Sequence, residues 1–426
     1  FLSFVLSMML LIANDDLSSN KKAIEASVKK HEKELIKISD AIWHNAELAL
    51  EEYKSSKILS DYAEKNGFSI ERGVAGMPTA FIATYGSGRP RIGILGEFDA
   101  NAGISQKAQS KKEALIEGKP GHGCGHNLFG TGSLGAAIAV KELIEKGKIK
   151  GTVVFYGTPA EETIFGKVWF ARAGLFNDLD VCVDWHPGDD MEAATQSSKA
   201  LIDFRVKFTG RTAHASADPY NGFSAVDGME LFTTGINYYR EHIKPTARIH
   251  YQIEKAGDVV NVVPDKAQIW VRVRENDRES LNVVYERVKK MAAAGALMAE
   301  VEHEIQLISG IYELLPNRRG ATAIQENFKM LGPIKYTKKE MAYAKEIQRA
   351  TGKPEVGMDG AIHPLKDTMP AQGGSTDVGD VSQLVPVVRL STPAAPKDAP
   401  WHSWAVVACT GMSIGHKGMI HATKAL

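Results

Sequence analysis

The stretch Thr152-Val-Val-Phe-Tyr156, followed by Gly157-Thr-Pro-Ala-Glu-Glu162, decides the fold. An unbroken apolar run that ends in a turn is typical of a strand buried on both faces of a parallel sheet. Strand patterns at 80–85 and 91–95 precede it, and an alanine-rich helix is predicted at about 128–146. This alternation of strands and helices predicts an α/β domain with a largely buried sheet.

Beyond about residue 199 the pattern changes to strict alternation, as in Ile202, Phe204, Val206 and Phe208, which predicts a strand with one face exposed to water. The elements that follow come in the order βαββαβ, which is the order of a ferredoxin-like domain. Its remaining helices are predicted at about 224–242 and 278–298, and its remaining strands at 248–253, 267–273 and near 303–308.

The two patterns together predict a two-domain α/β protein in which the ferredoxin-like domain is inserted as a lid. The lid is expected at 199–315 and the catalytic domain at 21–198 and 316–426. The catalytic domain has to be discontinuous because a candidate site segment, Trp401-His402-Ser403, lies beyond the lid.

Thiolate, imidazole and carboxylate donors occur in four short segments. Cys124 and His126 lie two residues apart in the glycine-rich loop 121–127, whose backbone can fold tightly and direct both side chains to one point. Two adjacent carboxylates follow the strand that ends near Tyr156, and two further histidines complete the set. The sequence therefore predicts a metal site with the donors Cys124, His126, Glu162, His186 and His402.

Two divalent ions that share a water can lower its pKa and polarise a carbonyl, which is what amide hydrolysis requires. The mixed donors suit two ions such as zinc or manganese. Glu161 would remain unligated as the general base. Asp99 lies just after a strand and either orients a ligand histidine or caps a turn or helix.

Composition excludes several classes of function. The chain has 426 residues, with 51 basic and 51 acidic side chains, so no overall charge favours nucleic acid or an anionic membrane. Three cysteines cannot form a disulfide framework, and Cys182 and Cys409 lie in apolar runs typical of packing residues. An alternative enzyme would use Cys124 as nucleophile and His126 as its base, but it leaves the other donors without a role.

Residues 1–12 are almost continuously apolar and are followed by Ala-Asn-Asp-Asp16. This run is shorter than a stable membrane span and is typical of the apolar part of a secretory signal. We expect a leader at 1–20 and favour export to the periplasm over a cytoplasmic location. A buried amphipathic helix is the alternative.

Seven motifs along the chain resemble the M20 metallopeptidase and amidohydrolase family, in the aminoacylase-like branch that includes the p-aminobenzoyl-glutamate hydrolase B subunit. Many members of the family have a His-x-Asp metal motif where this chain has Glu97-Phe-Asp99. The matching motifs, in family order, are Gly96-Glu-Phe-Asp-Ala100, Gly121-His-Gly-Cys-Gly-His-Asn127, Gly157-Thr-Pro-Ala-Glu-Glu162, Thr212-Ala-His-Ala-Ser216, Asn261-Val-Val-Pro264, Gly374-Ser-Thr-Asp-Val-Gly-Asp380 and His402-Ser-Trp404.

The resemblance implies a two-metal site with the donors named above, Glu161 as the base, and a lid that also forms a dimer. It implies that His214 stabilises the oxyanion, within its own chain or from the partner subunit. Substrate contacts are implied for Asn261, Ser375, Thr376 and Asp377.

The function implied is metal-dependent hydrolysis of the amide bond of small N-acyl or N-aroyl amino acids, such as p-aminobenzoyl-glutamate, or of small peptide-like amides. The partner is expected to be a second copy of the chain or a related subunit. The alternative is a catalytically silent relative that binds amino-acid conjugates or serves as a partner subunit.

Overall fold

Two β-sheets, one in each of two units of the chain, organise the computed structural model, which describes the backbone of residues 2–426 and the side chains of residues 17–426. The first unit comprises Phe1–Thr195, Pro316–Thr368 and Leu384–Leu426, and the second comprises Gln196–Leu315 and Met369–Gln383. The predicted leader falls mostly outside the residues whose side chains are described. Within the described part of the chain, no helix combines the length and the apolar character needed to cross a bilayer.

The strands are β1 Ser69–Arg72, β2 Phe81–Ser87, β3 Arg91–Glu97, β4 Gly151–Thr158, β5 Val181–Gly188, β6 Glu192–Ala193, β7 Ala200–Thr209, β8 Arg248–Ala256, β9 Lys266–Glu275, β10 Glu302–Ile311 and β11 Val387–Pro393. The helices are α1 Leu2–Asn45, α2 Tyr53–Lys65, α3 His126–Glu145, α4 Glu161–Ile164, α5 Gly166–Arg172, α6 Ala225–Tyr239, α7 Arg278–Met298, α8 Arg318–Leu331, α9 Lys338–Ala350, α10 Val378–Ser382, α11 Trp404–Thr410 and α12 Ser413–Ala425.

The sheet of the first unit has seven strands in the order β1-β2-β4-β3-β5-β11-β6. Its centre is parallel, because β4, β3, β5 and β11 pair with their neighbours in the same direction. All eight residues of β4 are buried, as the apolar run predicts. Helix α3 approaches β3 closely, since a Cβ on Gly130 would lie 2.5 Å from the carbonyl oxygen of Glu97.

The sheet of the second unit has four antiparallel strands in the order β10-β7-β9-β8. With α6 after β7 and α7 after β9, the chain order is βαββαβ, so the predicted ferredoxin-like fold is confirmed. The alternating apolar residues of β7 and β9, among them Phe204, Phe208 and Val271, pack with Phe232 of α6 and Val288 of α7 in one core.

The second unit also contains residues 369–383, which the sequence pattern assigns to the catalytic domain. Three hydrogen bonds tie this segment to 196–315: Lys199 N donates to Gly374 O at 2.9 Å, Tyr312 N to Asp380 Oδ2 at 3.1 Å, and Leu315 N to Ser382 Oγ at 2.9 Å. The segment forms no strand of the sheet and only the short helix α10, so no hydrophobic period in the sequence indicates where it packs.

Candidate metal centre

The predicted donors of the first unit lie where its parallel strands end. β3, β4 and β5 are neighbours in parallel register, so their carboxyl ends share one edge of the sheet. Glu97 is the last residue of β3 and Asp99 follows two residues later. Glu161 begins α4 shortly after β4, and His186 lies near the end of β5.

The glycine-rich loop brings Cys124, His126 and His402 to this edge. Gly125 has a φ of 76°, a left-handed conformation that suits glycine, and the next residue, His126, begins α3. His402 N donates to Gly123 O at 3.0 Å, and a Cβ on Gly123 would lie 3.2 Å from His402 Cα. The absence of a side chain at position 123 therefore lets a segment far along the chain approach the loop.

The donor atoms of the five predicted ligands converge. Cys124 Sγ lies 3.4 Å from His186 Nε2, and Glu162 Oε1 lies 3.4 Å from His402 Nε2 and 4.0 Å from His126 Nε2. Three groups of residues each bring one donor atom apiece within 4.8 Å of one another: Cys124, His126 and His186; Cys124, Glu162 and His402; and Glu97, His126 and Glu161.

Hydrogen bonds fix which nitrogen of each buried histidine faces the cluster. His126 Nδ1 lies 2.9 Å from Asp99 Oδ1 and 3.1 Å from the Asp99 carbonyl oxygen, and His186 Nδ1 lies 2.8 Å from Pro187 O. Because all three partners are acceptors, each Nδ1 carries the proton. Each Nε2 then presents a lone pair, which is the form of imidazole that binds a metal.

Three buried atoms at the cluster have no hydrogen-bond partner among the residues that the structure describes: Glu97 Oε2, His126 Nε2 and Glu162 Oε1. Buried polar atoms in folded proteins are nearly always hydrogen-bonded, so unpaired atoms facing one another require an explanation. All three can act as electron-pair donors. The residues present therefore fit a divalent cation, and thiolate, imidazole and carboxylate together suit zinc or a similar ion.

Electrostatics at the cluster favour metal binding over thiol chemistry. Burial lowers the pKa of His186 to about 3, which keeps this imidazole neutral at physiological pH. Burial and the Glu162 carboxylate raise the pKa of the Cys124 thiol well above its usual range. A thiol with a raised pKa is a poor nucleophile by itself, whereas a bound metal ion stabilises the thiolate.

Asp99 combines the two roles that the sequence left open. Its Oδ1 accepts from His126, and its Oδ2 accepts from Glu162 N at 2.9 Å, at the start of α4. The same carboxylate thus orients a predicted ligand and holds the turn that carries the two adjacent glutamates.

Two features near the donors were missed by sequence reasoning. Glu52 is buried, and its Oε1 accepts from Ala160 N at 3.0 Å while its Oε2 accepts from Thr79 Oγ1 at 2.8 Å. Ala160 has a φ of 63°, a strained conformation for alanine, immediately before Glu161. Lys167 forms a buried ion pair with Glu97. Neither pairing is signalled by a local pattern, since the partners are far apart in sequence.

His214 and Asn261 lie together in the second unit. His214 pairs with Val262 in a β-bridge, and Ala215 N donates to Asn261 O at 3.1 Å. Both residues are exposed. His214 Nδ1 accepts from Ser216 N at 3.2 Å and from Ala217 N at 3.1 Å, so the ring proton lies on Nε2. Unlike the buried histidines, His214 therefore presents a donor N–H.

Ser375, Thr376 and Asp377 lie elsewhere in the same unit. They follow Gly374, which bonds to Lys199 at the start of β7, whereas His214 lies beyond the end of β7. β7 has ten residues, so the two groups are separated by roughly 30 Å at about 3.3 Å per residue. The unit therefore does not bring all of the predicted substrate-binding residues together.

Comparison with known proteins gives the family. The family model described as "Peptidase family M20/M25/M40" matches residues 105–403. The chain is 36% identical to the B subunit of the p-aminobenzoyl-glutamate hydrolase of Escherichia coli (strain K12), over 95% of this chain and 89% of that protein. It is 30% identical to the human "Xaa-Arg dipeptidase", over 83% of this chain and 74% of that one.

A solved structure described as a dinuclear metal-binding peptidase of the M20 family from Bacillus subtilis has the same fold, with a TM-score of 0.59 and 18% identity over 93% of this chain and 98% of that one. The fold and the relatives together define a hydrolytic enzyme of the amidohydrolase class. The chain belongs to peptidase family M20/M25/M40, so the resemblance read from its motifs is confirmed.

Proposed function

We propose that the protein is a metal-dependent amidohydrolase that cleaves the amide bond of small N-acyl or N-aroyl amino acids of the p-aminobenzoyl-glutamate type. The observation that carries this proposal is the convergence of three unpaired buried donor atoms with a thiol and two further imidazoles at the sheet edge. The substrate class is suggested by the printed name of the E. coli relative.

In the proposed site Cys124, His126, Glu162, His186 and His402 hold two divalent ions, with zinc or manganese the expected metals. When bound, the ions would activate a water molecule and polarise the substrate carbonyl. Glu161 accepts a proton from this water as the new C–O bond forms. It then delivers that proton to the amine nitrogen as the C–N bond breaks, so that a carboxylate and an amine leave.

His214 is proposed to donate a hydrogen bond to the carbonyl oxygen as negative charge develops there. The N–H at its Nε2 supports this role, because an oxyanion requires a donor and not a lone pair. Asn261, Ser375, Thr376 and Asp377 are proposed to contact the substrate. One small substrate cannot span the roughly 30 Å between the ends of β7, so the separation supports a site completed by two chains.

We therefore propose a homodimer in which His214 serves the partner's site. A mixture of Glu161→Gln and His214→Ala dimers, exchanged through mild denaturation, tests this. Mixed dimers would contain one site with both residues intact and regain up to half of the wild-type activity. If each chain supplies its own His214, mixing restores nothing. Recovery of a related second chain instead of a homodimer would support a heteromer, as the printed name of the E. coli relative suggests.

The first test of the proposal is metal dependence. The purified protein is treated with a chelator, analysed by mass spectrometry for residual metal, and assayed on N-acyl and N-aroyl amino acids before and after addition of Zn²⁺, Mn²⁺ or Co²⁺. We expect activity to disappear and return with the metal. Full activity without metal, abolished by a thiol alkylator, would favour the Cys124 nucleophile.

A protein that binds metal and conjugates but hydrolyses none of the substrates would instead support the silent relative. The intact Glu161 argues against that alternative. Export of the chain is a separate proposal, supported by the apolar residues 1–12 alone. Fractionation of cells that produce the full-length protein would test it, and recovery in the cytoplasm alone would contradict it.

A further inference from the structure

A buried ion pair lies directly behind the donor cluster. The side chain of Lys167, in α5, has no exposed surface, and that of Glu97, at the end of β3, is 1% exposed. Lysine is almost never buried so completely unless it is paired. Here the ammonium group binds Glu97 Oε1. The pair thus places two charges inside the protein at the edge of the sheet that carries the predicted ligands.

The second oxygen of the same carboxylate faces the cluster. Among the described residues, Glu97 Oε2 makes no hydrogen bond and lies 2.9 Å from His126 Nε2, which makes none either. Since His126 Nδ1 carries the ring proton toward Asp99, Nε2 presents a lone pair. Two electron-rich atoms at this distance repel each other unless a positive charge lies between them. A divalent cation bound to both atoms satisfies that requirement.

We propose that Glu97 is a sixth metal-binding residue, whose Oε2 coordinates the ion held by His126, and that Lys167 positions it. By occupying Oε1, Lys167 restricts Glu97 to coordination through one oxygen and offsets one negative charge where several donors are crowded. Glu161 also lies within 4.8 Å of this pair of donor atoms. The inference rests on the proposed metal-dependent function.

The test compares metal binding in variants that keep the buried charges balanced. Glu97→Gln alone would leave a buried ammonium group without a partner, and the protein would then be at risk of unfolding. The double variant Glu97→Gln/Lys167→Met removes both charges, and circular dichroism checks its fold. A matched control, Asp203→Asn/Arg272→Met, removes a buried aspartate and its arginine from the second unit, where they pair at 2.5 Å.

Chelator-treated proteins are titrated with Zn²⁺ and Mn²⁺ by calorimetry, and bound metal is counted by mass spectrometry. We expect the double variant to bind one ion more weakly than wild type by more than about 100-fold, since even partners of ligand residues typically account for 10- to 100-fold. The control should bind as wild type does. Wild-type affinity and stoichiometry in the folded double variant would overturn the inference.

Lys167→Met provides a second measurement. Without the ammonium group, a bound cation is the remaining counter-charge for Glu97 Oε2, so added metal should raise the thermal midpoint of this variant more than that of wild type. An equal or smaller rise would overturn the positioning role of Lys167. A wild-type protein that binds no divalent ion would overturn the proposed function as well, whereas normal binding by the double variant overturns this inference alone.

Discussion

The histidines of the sheet edge and the histidine of the lid loop differ in which ring nitrogen carries the proton. His126 and His186 are buried, donate from Nδ1 to fixed acceptors and present a lone pair at Nε2. His214 is exposed, accepts two backbone N–H groups at Nδ1 and presents a donor at Nε2. The same side chain is thus prepared for a cation in the first unit and for a developing anion in the second.

This difference separates two kinds of effect that mutations should have. Changes at the sheet edge should alter metal content, because the donor atoms there have no other partner among the described residues. Changes in the lid loop should alter the rate while metal content stays constant. The following predictions are arranged from the largest expected effect to the smallest.

Glu161→Gln should lower turnover by about 10² to 10⁴, the range typical of a lost general base, while the protein keeps its metal. The amide retains the shape of the carboxylate but cannot accept the proton of water. Glu162→Gln is the matched control, and it should lose metal as well as activity. Turnover and metal content measured on the same samples decide the assignment, and equal metal loss in both variants would show that the two roles are divided wrongly.

His214→Ala should reduce turnover by on the order of 10² to 10³, the usual cost of losing one oxyanion donor, without loss of metal. His242→Ala replaces another exposed histidine of the same unit and should behave as wild type. Turnover within a few-fold of wild type would mean that His214 is only a surface residue of the loop. Loss of metal would instead make it a ligand and remove the contrast between the two regions.

Glu52→Leu should lower turnover about 10-fold, because Ala160 N would lose its acceptor and the turn before Glu161 would shift. Burial, and next the Asp99 charge, raise the pKa of Glu52 to about 8, so the side chain is mostly neutral at pH 7. Glu52→Gln keeps a neutral acceptor and should therefore remain within a few-fold of wild type. Equal losses in the two variants would argue against positioning through this hydrogen bond.

Glu340→Gln should affect stability and leave both the rate and the metal content unchanged. Burial opposes ionisation of Glu340, but hydrogen bonds from Lys417, Thr337 N and Ser413 lower its pKa from 4.5 to about 2. We expect the free energy of unfolding at pH 7 to fall by about 1–3 kcal/mol, as for a hydrogen-bonded charge.

The sign of the pH dependence follows from the lowered pKa of Glu340. Its contribution is fully present above pH 4.5 and is lost as pH falls through about 2. Denaturant unfolding of wild type and Glu340→Gln across this range should therefore show the two proteins converging in acid. A difference in stability that is independent of pH would contradict the ionic origin of the effect.

Much of the fold and of the donor set was predictable because their signals are local. The period-two pattern at 202–208 and the apolar run at 152–156 each fix a strand, and Cys124, His126, Glu161 and Glu162 follow from a glycine-rich loop and a strand end. Whether these residues hold the predicted metals stays a prediction that the experiments above test.

The features that were missed depend on contacts between distant parts of the chain. The ion pair of Glu97 and Lys167 joins residues 70 positions apart, and the bond from Glu52 to Ala160 joins residues 108 apart. The sequence pattern places residues 369–383 in the wrong domain for the same reason, since three long-range hydrogen bonds and no periodic pattern hold them.

The discontinuity of the first unit also determines when its donor cluster can form during synthesis on the ribosome. β11 pairs with β5 in the middle of the sheet, and His402 follows it, so neither is present until nearly the whole chain has been translated. At about 5–20 residues per second, His402 emerges roughly 15–55 s after His126. During that interval β5 has an unpaired edge open to aggregation. We expect nascent chains arrested before residue 387 to be cleaved by protease at this sheet, and equal resistance to that of the full chain would contradict this.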